Sequence, residues 1–304
     1  MFTIDLNAYG RYGRPCAIAD FLELMALGGG EPSEIELAEQ IVDNDWAIDE
    51  MFVEEGEARP ISRRRDDATE QARAIFAVLE ERQQVLADKW PFRFIGPRLA
   101  SVGRDPFTDP YVALLSITLS HAYDIARPHP PEVVFEDTVA DIFARRDLLV
   151  SNFGRVARGA PNFEQALSVA GAAVRLSPTP EAAIRKVGAQ DEKVDTLCHT
   201  WWGDTRPGAW CLIGQVTCAK SDAWEGKIME PSPPAWSKLL NVEPFPLAFL
   251  AVPHHVESSH LAKLVQDYQR VVFDRLRLAM FKTTILPAER DLIEAVLGTE
   301  VEQP

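Results

Sequence analysis

The sequence predicts an α/β protein in two parts: a helical domain over residues 1–155, and a domain over residues 156–304 in which about four strands are flanked by helices. Three observations carry this expectation. The chain has 304 residues, about twice the length of a typical domain, so two domains are expected and a sizeable core can be buried. Its apolar fraction of 46% and aromatic fraction of 9% are those of globular proteins. Apolar residues recur at helical spacing through the first half, whereas after Gly159 β-rich stretches bounded by turn residues take over.

Ile18 to Leu27 reads as a short amphipathic helix ended by Gly28, Gly29 and Gly30. Ser33, with Glu36 three residues on, forms a capping box that opens a second helix, whose apolar face takes in Ile35, Leu37, Ile41, Trp46 and Ile48. Pro60 and the run Arg63, Arg64, Arg65 mark a loop before the longest helix, Asp67 to Trp90, which stops at Pro91. Tyr111 to Ile125 is apolar around its circumference and reads as a helix packed among others, with His121 as a hydrogen-bonded core residue. Pro128, Pro130 and Pro131 separate it from a helix over Glu132 to Leu149, so the first 150 residues are expected to be all-helical.

Asn162 caps a helix through Leu176, and Thr179-Pro180-Glu181 opens a short one. Val194 to Trp202 and Ala209 to Ala219 read as two strands of an antiparallel hairpin joined by a polar turn. Pro246 to Val252 is a third, buried strand. Ser258 or Ser259 caps a helix reaching Tyr268, and Val271 to Phe273 is a fourth short strand running into Asp274-Arg275-Leu276-Arg277.

Charge bounds the partners. No run of about 18 apolar residues occurs, and the start lacks the basic flank and apolar stretch of a secretory signal, so a cytoplasmic protein without a membrane partner is expected. The net charge of −15 opposes phosphate binding, but it is uneven. Residues 1–60 hold 14 acidic against 3 basic side chains, and residues 151–290 hold 14 acidic against 16 basic. The second half therefore permits nucleic acid, while the acidic N-terminal region is expected to meet a protein partner. No G-x-G-x-x-G, P-loop, G-x-S-x-G or H-E-x-x-H signature occurs. The four cysteines show no C-x-x-C spacing and are expected as thiols. A zinc site from Cys198, His199, Cys211 and Cys218 is disfavoured because three of these sit on strands at mixed parity. His254 and His255 read as a loop after the third strand, since neighbours on a strand point to opposite faces.

A metal-dependent phosphodiesterase needs oxygen ligands that converge on one point and a cation near the attacked phosphate. The hairpin can supply the convergence. With its turn centred between Thr205 and Arg206, Asp195 falls opposite residues 215–217, and one choice of register sets it beside Gln215 on one face. Glu164, on the preceding helix, can lie behind them.

The order of a helix with Glu164, a strand with Asp195 in EKVDT, a strand with Gln215 in LIGQVTCAK and a further helix resembles the PD-(D/E)XK superfamily of restriction-endonuclease-like nucleases. The likeness is to a prokaryotic branch in which Gln replaces the second acid, and it spans roughly Asn162 to Met280. It implies a mixed four-stranded sheet between helices and a metal-dependent nuclease, with DNA as the favoured substrate, in a defence or DNA-processing system. It further implies Mg²⁺ or Mn²⁺ held by Asp195 and Gln215 with Glu164 in support. The family sets a lysine two residues after its acid, where this chain has Thr217; Lys220 and Lys227 are the substitutes. Arg275 and Arg277 are implied to reach a phosphate. The missing lysine also admits an alternative, a degenerate nuclease fold kept as a nucleic-acid-binding or assembly subunit.

Structural readings stand beside these. Asp195 can cap a loop, Gln215 can be a hydrogen-bonded core residue, Glu164 suits a helix N-terminus by the backbone dipole alone, and the two lysines can be surface residues. Trp201, Trp202, Trp210 and Trp224 can fill the core between sheet and helix or offer stacking faces to bases.

Overall fold

The structure, a computed structural model, describes residues 5, 7–43, 61–184, 193–204, 206 and 208–299. Its contacts divide the chain into two compact units, Met1–Pro128 with His254–Glu257 and Thr284–Pro304, and His129–Pro253 with Ser258–Thr283.

The first unit opens with helices α1 (Arg14–Leu27) and α2 (Glu34–Asp43). The expected capping box is present: the Ser33 N–H donates to Glu36 Oε2 at 3.0 Å and the Glu36 N–H donates to Ser33 Oγ at 3.3 Å. Trp46 and Ile48 lie outside the described residues. Helix α3 spans Ile61–Leu86, so Arg63, Arg64 and Arg65 belong to a helix and not to a loop. Arginine is a good helix former, and the run lies in the first turns of α3.

The first half is also not all-helical. Strands β1 (Phe92–Ile95) and β2 (Arg98–Ser101) pair antiparallel around Gly96, whose φ of +58° suits a tight two-residue turn. Helix α4 (Pro110–Ala122) is capped by Asp109, whose carboxylate accepts from the N–H groups of Tyr111 and Val112. The core of this unit holds a fully buried ion cluster. Arg82 lies 2.8 Å from both Asp20 and Glu23, while the Tyr9 hydroxyl donates to Asp20 and the Trp90 indole and Tyr111 hydroxyl donate to Glu23. Buried charge persists only when paired in this way.

The second unit begins with α5 (Pro131–Ala144), followed by β3 (Leu148–Asn152), α6 (Phe153–Gly159) and α7 (Phe163–Ala173). Leu148 and Leu149 thus belong to a strand and not to the end of a helix. Asp147 adopts φ +59°, which ends the helical run and starts the strand. Then come β4 (Thr196–Thr200), β5 (Cys211–Val216), α8 (Trp224–Met229), α9 (Pro233–Leu240), β6 (Leu247–Ala251), α10 (Ser258–Tyr268), β7 (Val271–Phe273) and α11 (Arg275–Phe281). The sheet has five strands in the order β3-β4-β5-β6-β7, one more than expected, and it is mixed: β3, β4 and β5 run antiparallel, while β5, β6 and β7 run parallel. On one side Phe153, Phe163, Leu197, Ile213 and Trp236 close a buried core. The last helix, α12 (Pro287–Leu297), returns to the first unit, where Ile293 packs with Val112 and Ala113 of α4. Among the described residues no helix is long and apolar enough to cross a membrane.

Candidate functional site

The expected hairpin forms, and its register fixes the site. Thr196, at the start of β4, pairs with Gly214 of β5; Asp195 immediately precedes β4 and Gln215 follows Gly214. The Asp195 N–H donates to the Gly214 carbonyl at 2.8 Å, and the Asp195 carbonyl accepts from the Gly154 N–H at 3.0 Å. Its carboxylate is turned across the hairpin, where Oδ2 accepts from the Val216 N–H at 2.9 Å. Gln215 is buried, at 5% exposure. Two glycines make room for this arrangement. A Cβ on Gly154 would lie 3.1 Å from Asp195 Oδ1, and a Cβ on Gly214 would meet the Phe249 ring at 2.3 Å, so β6 can cover β5 only because Gly214 has no side chain.

Acids and arginines gather beside Asp195. Glu136 on α5 is nearly buried and receives both terminal nitrogens of Arg158 from α6, at 3.1 and 2.6 Å. The hydrogen bonds that Arg158 donates to Glu136 raise its pKa, with the charges of Asp195 and Asp137 acting in the same sense against partial burial. Arg158 is therefore a cation fixed by Glu136, and its Nη1 and Asp195 Oδ1 would stand 3.5 and 3.1 Å from a Cβ built on Gly154. Asn152 caps α6 by accepting from the Arg155 N–H at 3.0 Å and donates its amide to Asp137 at 3.2 Å, and Arg155 reaches the same Asp137 carboxylate at 3.0 Å. The cluster is thus built at the corner where β3 turns into α6, against the start of β4.

The other expected residues lie as follows. Glu164 is exposed in the first turn of α7. Thr217 is half-buried, and its hydroxyl accepts from the Ala219 N–H at 3.1 Å. Lys220 is exposed just beyond β5, while Lys227 on α8 lies 3.1 Å from Glu230. Arg275 is fully buried and its Nε donates to the Pro253 carbonyl at 2.9 Å, which occupies the side chain within the core. Arg277 is exposed on α11, with its guanidinium donating to the Val272 carbonyl, and Asp274 caps that helix by accepting from the Arg277 N–H at 3.1 Å. Among the described residues no group of three or more His, Cys, Asp or Glu is set to hold a metal ion.

The residues missed in sequence are Glu136, Asp137, Arg155 and Arg158. A signal for Glu136 existed. It lies three residues before Val139 and seven before Phe143, both buried, so the acid interrupts an apolar stripe of α5.

The zinc reading fails on geometry and charge. His199 pairs with Cys211, which puts Cys198 on the opposite face of the sheet. Burial pushes the Cys211 thiol up to about 12 and holds the Cys198 thiol well above its ordinary value, so both resist the thiolate form that zinc needs. The tryptophans divide. Trp224 is buried and stacks on His260 at 5.7 Å, whereas Trp202 and Trp210 are 58% and 66% exposed.

Compared with family models, curated proteins and solved structures, the chain matches none.

Proposed function

We propose that the second unit is a metal-dependent phosphodiesterase acting on nucleic acid, DNA in preference, built on a restriction-endonuclease-like sheet. One observation supports the reading: Asp195, just before β4, turns its carboxylate onto the Val216 N–H next to Gln215 of β5, near the Arg158–Glu136 pair. The mixed sheet flanked by helices, with a parallel strand following the hairpin, supports the likeness.

The donors fit a hard cation thinly. Asp195 supplies a carboxylate and Gln215 an amide carbonyl, oxygen ligands of the kind Mg²⁺ or Mn²⁺ prefers, and the remaining positions suit waters and substrate phosphate oxygens. When bound, the ion supplies charge stabilisation and a more acidic water. Asp195 anchors the site with its charge and is held in place by the Val216 N–H. Glu136 takes over the supporting place assigned to Glu164, because it orients Arg158 against Asp195. Arg158, about half-exposed, and Lys220 are the cations offered to the attacked phosphate. Lys227, paired with Glu230, is the weaker candidate.

The acidic residues 1–60 are proposed to dock on a basic protein surface in a defence or DNA-processing assembly. The binding-subunit reading stays in view because Thr217 holds the family's lysine position and spends its hydroxyl on the Ala219 N–H. Incubation of the purified protein with plasmid, single-stranded DNA and RNA in Mg²⁺, Mn²⁺ or chelator separates the two. Metal-dependent cleavage of DNA is expected, and binding without cleavage in either metal gives the binding-subunit reading.

A further inference from the structure

At the turn end of the β4–β5 hairpin, a cavity of about 490 Å³ opens beside the sheet. It lies at the opposite end of the hairpin from Asp195, some four residues along β4, or about 13 Å at strand spacing. Trp201 and Trp202 form one wall. The Arg175 guanidinium lies 4.8 Å from the Trp201 ring centre, which fixes that indole from one side. Beside the cavity the exposed Trp202 and Trp210 rings meet edge to face at 5.9 Å. The backbone carrying Trp210 is held by Thr200, whose hydroxyl accepts from the Trp210 N–H at 2.8 Å and donates to its carbonyl at 3.3 Å. Aromatic surface of this size at the end of a hairpin contributes nothing to the core of the unit.

The polar part of the lining narrows the ligand. Arg175 and Arg206 are balanced by Asp204 and Glu243, and Arg206 is already bonded to Asp204 at 2.9 Å. The cavity therefore has no surplus of positive charge for a bare phosphate, in a chain of net charge −15. It does present a neutral hydrogen-bonding edge. His199 donates from Nδ1 to the Val174 carbonyl at 2.9 Å, so its Nε2 is the acceptor, and burial keeps the ring neutral. Flat aromatic faces beside neutral acceptors, in a space of nucleoside size, match a base better than a phosphate or an aliphatic side chain.

We infer that this cavity takes an unpaired nucleobase, stacked on Trp202 with its edge toward His199, so that a single strand or a frayed end is held about a hairpin's length from Asp195. The choice of ligand rests on the nucleic-acid reading above. The base can arrive on a strand or as a free nucleotide, and the chemistry of the site is the same for both.

The test is equilibrium binding in chelator, where no cleavage occurs, read by anisotropy of a labelled single-stranded oligonucleotide. A blunt duplex of the same sequence and a free nucleoside monophosphate as competitor are run alongside. The full chain is compared with Trp202→Ala and Asp195→Asn. Trp202 is exposed, so its removal leaves the fold intact, and Trp201→Phe serves as a second variant that keeps an aromatic face. Trp202→Ala is expected to weaken single-strand binding about 10-fold or more, the scale of one lost base stack. Duplex affinity should stay the same, Trp201→Phe should bind nearly as the parent does, and the monophosphate should compete only while Trp202 is present. Equal single-strand affinity in the parent and Trp202→Ala proteins overturns the inference, as does an equal loss on the duplex. Asp195→Asn, with cleavage by parent and variant read in a separate assay in millimolar Mg²⁺, keeps the two readings apart. If that variant binds as the parent does while no protein cleaves, the cavity stands and the phosphodiesterase falls. If it abolishes cleavage and Trp202→Ala is silent in binding, the reverse holds.

Discussion

Asp195 is fixed by its own backbone on both sides and by one carboxylate bond to Val216, so its charge is aimed before any ligand arrives. Preorganisation of this kind gives a single electrostatic contact its weight in catalysis. The ion pair of Lys227 separates the two lysines. Lys227 is held 3.1 Å from Glu230, whereas Lys220 is exposed beyond β5. Lys220→Ala should lower the cleavage rate roughly 100-fold and Lys227→Ala should change it little, measured as single-turnover rates on plasmid. Equal effects would remove Lys220 from the site. The β4–β5 hairpin was legible in sequence because strand parity and a polar turn leave few registers. Glu164 is exposed in the first turn of α7, and the acid that holds Arg158, near Asp195, is Glu136. Glu136 reaches that place from α5 through Arg158, a contact that local spacing does not encode.

At the scale of elements, the hairpin depends on how closely β6 can approach it. Because a Cβ on Gly214 would meet the Phe249 ring at 2.3 Å, Gly214→Val should force that ring aside. Overpacking of this kind costs about 1–3 kcal/mol, to be read as a lower urea midpoint at unchanged slope. An unchanged midpoint would mean that the covering of β5 by β6 is looser than described. Helix ends were the most legible elements: the Ser33–Glu36 box and the Asn162 cap, which accepts from the Gln165 N–H at 2.9 Å, follow from short local motifs. Strands β1, β2 and β3 were not legible. Leu148–Asn152 continues an apolar helical pattern, and only the left-handed turn at Asp147 and the pairing with β4 make it a strand. Such pairing joins residues about 50 apart, which no local window captures.

For the whole molecule, charge and titration set the working range. Burial holds the His199 imidazole below its ordinary value, with the Val174 hydrogen bond opposing, and burial together with the Lys263 charge does the same to His260. The folded rings therefore refuse protons that the unfolded chain accepts near pH 6.5. Their contribution to stability is full above that value and is lost as the pH falls below it towards the lower folded values. Urea midpoints should drop between about pH 7.5 and about pH 5, and His260→Phe, which keeps a ring against Trp224, should shrink the drop. A midpoint independent of pH in the parent protein would contradict this. Residues 254–257 and 284–299 group with the first unit through tertiary packing that leaves no mark in composition. The central claim is tested most directly by comparing the parent chain with Asp195→Asn, a nearly isosteric change that removes the anchoring charge, for cleavage of plasmid DNA in millimolar Mg²⁺ and Mn²⁺. The account predicts metal-dependent cleavage by the parent and none by a variant that melts at the same temperature. Full cleavage by Asp195→Asn would put the chemistry elsewhere in the molecule.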